Sequence, residues 1–178
     1  MRFNKRRWRE SKAARTGDIL VKDAHPNLAP ARAFCQTIIV YGTPGPQGSK
    51  KFVGLSKSGR GIMIESSKKV KPWRENVKAA AEAVRNGAVT LDCAINARMV
   101  FTVAKPKSAP KTRKTYPSTK PDVSKLVRST EDALSDSGIW RDDARVVNYS
   151  RIAKVYPGED PEALEVPGVR ILIEPYHA

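Results

Sequence analysis

Within residues 120–147, KPDVSKLVRSTEDALSDSGIWRDDARVV, carboxylates stand at Asp122, at Glu131 with Asp132, and at Asp142 with Asp143. Acids gathered beside phosphates repel them, unless the acids are protonated or a cation stands between. With no His or Cys among them, such a cluster offers oxygen ligands only, which select Mg²⁺ or Mn²⁺ over zinc. A basic protein that holds Mg²⁺ on carboxylates is equipped to hydrolyse phosphodiesters. Plainer accounts exist for individual residues. Asp122 taken alone is explained by a helix N-terminus, where the dipole favours negative charge, and an Asp at position 142 or 143 suits an Asx turn.

The elements that must carry these residues are legible. Pro121 signals a helix start and Ser137-Gly138 a stop. Val123, Leu126, Val127, Thr130, Ala133 and Leu134 form the core stripe of that helix. Asp122, Lys125, Ser129, Asp132 and Asp136 recur at steps of three or four and line a second face. Asp142-Asp143 falls at a turn or strand start before the strand-like ARVVNYSRIAKVY. Upstream, QTIIVYG, KFVGL and GIMIES read as strands, the last two joined through the tip SKSGRG. PWRENVKAAAEAVRNG (72–87) reads as a helix burying Trp73, Val77, Ala80 and Val84. LDCAINARMVFTVAK (91–105) alternates as a long strand. Residues 105–120 form a Pro-rich loop with six Lys or Arg and no acid, and Tyr116 is its one aromatic. Lys111, Arg113, Lys114 and Lys120 of this loop are candidate phosphate contacts. These elements imply an α+β fold: a mixed sheet of five or six strands with two main helices on one face.

The chain has 178 residues, a formal net charge of +15 and a pI of about 10.1. Its length suits one domain plus an arm, and its hydrophobic content of 40% predicts a folded core. The charge predicts a nucleic-acid partner, because each phosphate contact releases condensed counterions. Residues 1–35, crowded with Arg and Lys around Trp8, read as a flexible basic arm, leaving 36–178 for the folded domain. Cys35 and Cys93 belong to no metal-binding spacing and are expected to be buried, reduced and structural. No apolar run is long enough to span a membrane, and MRFNKRRWRE lacks the apolar stretch of a secretory signal. The expectation is a cytoplasmic protein with no membrane partner.

The ordered combination KPDVSKLVRSTEDAL, then GIWRDDARVV, resembles the RusA family of Holliday junction resolvases, over about residues 36–175. VYGTPGPQGSKK is similar to that family's opening strand and Pro-Gly turn, and RIAKVY to its later strand with a lysine, here Lys154. The resemblance implies a homodimeric, Mg²⁺-dependent endonuclease that resolves four-way or branched DNA by paired nicks, of the kind found in phages and prophages. It implies Asp122 and Asp143 as metal ligands, Asp142 as supporting neighbour, and Asp132 as the aspartate of the Asp-Ala-Leu motif and a further ligand. Arg128 stands at the position of a lysine that assists catalysis, and Lys125 and Lys154 join the DNA-binding set. One position departs from the pattern. Ser124 replaces the family's second metal aspartate, so Glu131 or Asp132 is expected to make up for it. The same departure keeps open a non-catalytic junction or duplex binder, and a basic structural RNA-binding protein is the rival from another class.

Overall fold

The computed structural model describes residues 35–48, 50–65 and 67–177. The basic arm expected over residues 1–35 lies outside them, except for Cys35.

The core is a four-stranded sheet in the order β1 (Gln36–Tyr41), β6 (Gly168–Pro175), β4 (Ile95–Thr102), β5 (Val146–Val155). β6 is antiparallel to both β1 and β4, and β5 runs parallel to β4. Alternation fixes which side is dry. Ile38 and Val40, Met99 and Phe101, and Val169, Ile171 and Ile173 are all fully or almost fully buried on one face. The register sets Met99 against Ile171 and Phe101 against Val169, so the buried side chains interlock across strands. The two helices, α1 (Val70–Arg85) and α2 (Val123–Ser137), complete this core with Trp73, Val77, Leu126 and Leu134.

Among the described residues, β2 (Lys50–Leu55) and β3 (Gly61–Glu65) pair only with each other. The strands were legible, but they build a separate hairpin rather than enlarging the sheet, because period-two alternation does not specify a partner. The strand expected over 91–105 is shorter. Leu91 makes an isolated bridge to Trp140, and regular pairing begins only at Ile95.

α1 starts two residues before Pro72, which its third position tolerates because the first amides of a helix need no intrahelical acceptor. α2 follows its sequence signals closely, ending at Gly138 with φ 68°, a left-handed value natural to glycine. The cysteines depart from expectation. Cys35 is exposed because it precedes β1, and Cys93 is only half-buried in the irregular stretch before β4.

Trp73 Nε1 donates to Thr130 Oγ1 at 3.1 Å in the buried seam between the helices. Ser129 Oγ donates to Gly45 O at 2.6 Å, and Gln47 N donates to Lys125 O at 3.0 Å, laying the Pro-Gly turn along α2.

Candidate active site

A helix turns about 100° per residue, so a residue's number fixes its side of α2. The polar residues divide into two sets. The first set is the stripe singled out by spacing, and it is open only at its ends, where Asp122, Lys125 and Asp136 are exposed. Ser129 is buried. Asp132 Oδ2 lies 3.2 Å from Arg74 Nη1, and Asp136 Oδ2 lies 2.7 Å from Arg74 Nη2. This flank is turned toward α1 and the Pro-Gly turn, and Asp132 is committed there to an ion pair. The second set, Ser124, Arg128, Glu131 and Ser135, recurs at steps of four, three and four on another side. Ser124 and Arg128 are exposed, while Glu131 and Ser135 are half-buried.

Glu131 is the most perturbed acid of this region. Its Oε1 accepts a hydrogen bond from the Tyr149 hydroxyl on β5. Burial pushes its carboxyl up to about 7, and the negative charges of Asp143 and Asp132 push the same way. Asp143 opens a short 3₁₀ turn, Asp143–Arg145, that leads directly into β5. Asp142 precedes this turn, and its Oδ1 accepts from Ala144 N at 2.9 Å, the Asx arrangement. Asp92 anchors the turn from outside, pairing with both Arg145 and, at 2.8 Å, Arg141. Asp143 is left exposed.

Asp122 holds the N-cap position of α2, yet its side chain makes no capping hydrogen bond. Its Oδ2 lies 3.0 Å from Lys125 Nζ instead. Lys125 holds the carboxyl below the usual range, with Lys120 and Lys154 adding to the effect. Lys154 Nζ donates to the carbonyls of Thr119 and Pro121 at 2.5 and 2.6 Å. Its ammonium therefore braces the approach to α2. A cleft of about 280 Å³ opens beside it, lined by Pro44, Pro117, Lys120, Lys154 and Tyr156 among others.

The basic loop is tied down at two points. Lys105 Nζ lies 2.5 Å from Glu159 Oε1, and Thr115 N donates to Glu159 Oε2 at 3.1 Å. Lys111, Arg113, Lys114 and Lys120 remain exposed.

Asp122 and Asp143, the two expected metal ligands, act on different groups: Lys125, Lys120 and Lys154 hold the Asp122 carboxyl down, while Asp143 acts on Glu131. Nine residues of helix, roughly 13 Å of rise, separate Asp122 from Glu131, and it is Glu131 whose carboxyl Asp143 influences. Among the described residues, no group of three or more His, Cys, Asp or Glu is arranged to hold a metal ion. Sequence reasoning missed Tyr149, because a tyrosine eighteen residues from Glu131 carries no local signal.

A family model, Endodeoxyribonuclease RusA, matches residues 42–171. Among known proteins, the uncharacterized protein YqaN of Bacillus subtilis (strain 168) is similar, 29% identical over 133 residues that cover 70% of this chain and 90% of that protein.

Proposed function

The chain belongs to the RusA family of endodeoxyribonucleases, and from that premise we propose that it resolves four-way DNA junctions by paired, metal-dependent nicks as a homodimer. The observation that carries this reading is the stripe of α2 bearing exposed Ser124 and Arg128 and ending at Glu131, whose carboxyl feels Asp143. The donor set fits a hard cation. All its ligands are oxygens, and Mg²⁺ needs only one or two carboxylates when water and phosphate supply the rest. Burial is the main cause that lifts the Glu131 carboxyl to about 7, and the added repulsion from Asp143 and Asp132 is of the kind a divalent cation relieves.

Asp122 and Asp143 would hold the ion, with the Ser124 hydroxyl as a neutral neighbour. Asp132 leaves the ligand set, since Arg74 engages it, and its role becomes fixing α2 against α1. When bound, Mg²⁺ supplies a more acidic water and neutralises charge gathering on the scissile phosphate. Arg128, exposed on the same stripe, faces that phosphate and stabilises its charge. Asp142 holds the 3₁₀ turn so that Asp143 keeps its position. Lys125, free to leave Asp122 when a cation arrives, turns to the DNA backbone with Lys111, Arg113, Lys114 and Lys120.

An exposed apolar hairpin supports homodimerisation. Phe52, Val53, Leu55 and Ile62 are exposed on a hairpin that, among the described residues, pairs only with itself. In the proposed dimer, the Asp122 of each copy, at the N-cap of α2, meets the Asp143 of the other, at the start of the 3₁₀ turn. No helix among the described residues is long and apolar enough to cross a membrane. We place residues 36–178 as the nuclease domain and the basic residues before them as an additional DNA grip.

The decisive experiment incubates the protein with a synthetic four-way junction and Mg²⁺, with EDTA as control. Symmetric nicks that need the metal are expected. Asp143→Asn should abolish nicking while leaving junction binding intact, because it removes a ligand and a charge that repels phosphate. Mixing inactive Asp122→Asn with inactive Asp143→Asn chains should restore nicking through a mixed dimer. Junction binding by wild type without cleavage in Mg²⁺ or Mn²⁺ would instead mean that Ser124 has left the site unable to cut.

A further inference from the structure

The basic loop presents one side chain that neither the metal chemistry nor phosphate binding uses. Tyr116 is 71% exposed. An aromatic ring in water ordinarily rests on a mobile surface, but this one is held from both sides. Thr115, immediately before it, is pinned through its backbone amide and its hydroxyl to Glu159, which in turn binds Lys105. Pro117, immediately after it, is buried. The Tyr116 carbonyl accepts from Ser118 N at 2.8 Å, closing a tight turn. The ring is therefore projected from a fixed base. Its described neighbour is a cation, Lys114 Nζ, 5.5 Å from the ring centroid. Exposed Lys111 and Arg113 stand just upstream.

A rigid, solvent-facing ring flanked by phosphate-seeking cations has the composition of a base-stacking platform, in which charge tracks the backbone and the ring takes the flat face of a base. Duplex DNA offers such a ring nothing, since its bases are already stacked. A branch point does, because strands exchange there and a base can be freed from its neighbours. We infer that Tyr116 stacks on a nucleobase unstacked at the branch point, and so selects branched over continuous duplex DNA. The inference rests on the junction-binding reading above and names the residue through which branching is sensed. Tyr116 is in this sense a positioning residue.

The test measures binding of the full chain to a four-way junction and to a linear duplex of the same sequence, in EDTA so that cleavage does not intrude. Tyr116→Ala and Tyr116→Leu should each weaken junction binding by roughly tenfold, with duplex binding within about twofold of wild type. Leucine keeps bulk but has no π face, so its failure separates stacking from packing. Tyr116→Phe and Tyr116→Trp should bind like wild type, and the tryptophan's fluorescence should be quenched by the junction and not by the duplex. Equal junction binding by wild type and Tyr116→Ala overturns the inference while leaving the junction reading intact. A wild type that binds junction no better than duplex overturns the junction reading, and the inference falls with it.

Discussion

Glu131 couples the site to pH. Its folded pKa of about 7 lies above the ordinary 4.5. Between those values the folded chain holds a proton that the unfolded chain has released. The contribution to stability is thus complete below pH 4.5 and is lost as pH rises through 7. Glu131→Gln removes this dependence. In EDTA, the variant and wild type should unfold at similar denaturant concentrations near pH 5. Above pH 8 the variant should be the more stable, by on the order of 1–2 kcal/mol after allowing for half-burial. Parallel stability curves from pH 5 to 8.5 would mean that Glu131 is not strained. Ser124 makes a complementary case. It is exposed and one turn from Arg128, so Ser124→Asp adds a charged oxygen to the open stripe. Less Mg²⁺ should then be needed for half-maximal nicking, because affinity for hard cations rises with ligand charge. A slower enzyme at every Mg²⁺ concentration would show that the new carboxylate pairs with Arg128 instead.

At the level of elements, two close approaches hold the Pro-Gly turn and both helices in place. A Cβ on Gly45 would lie 2.4 Å from the Lys69 carbonyl oxygen. Both groups are backbone and cannot swing aside. Gly45→Ala should therefore destabilise by about 1–3 kcal/mol, as overpacking does, and lower the nicking rate as the turn shifts along α2. Thr130→Val leaves the buried Trp73 indole N–H without its acceptor and should reduce stability by about 1–3 kcal/mol, read as a fall in urea midpoint with unchanged slope. The boundaries of α2 were legible because Pro121 and Gly138 act locally on the backbone. Which flank of α2 stays open was not. Both flanks carry polar residues at helical spacing, and the choice is made by Arg74, 58 residues from Asp132, and by the Gly45 carbonyl, 84 residues from Ser129. The approach of Asp143 to Glu131 was likewise not legible, since spacing along the chain does not say which end of a helix meets which turn.

For the whole molecule, the surplus of +15 dictates how affinity responds to salt. Junction affinity should fall linearly on a log–log plot, and replacing Lys111, Arg113 and Lys114 together with alanine should flatten the slope by roughly 2–3 units, about 0.9 per lost phosphate contact. An unchanged slope would mean that the loop faces away from DNA. The strand order carries a consequence of another kind. β6, the last of the four strands to be synthesised, lies between β1 and β4. It brings Val169, Ile171 and Ile173, all fully buried, and without it β1 has no neighbour in the sheet. A nascent chain emerging from the ribosome can form α1, and even α2, but must wait for β6 before its core closes. The carboxylates of α2 and the 3₁₀ turn leave the ribosome well before the sheet that orders them. Cutting power therefore arrives late and all at once, and a ribosome stalled before residue 168 holds a chain that has every acid of the site and no nuclease.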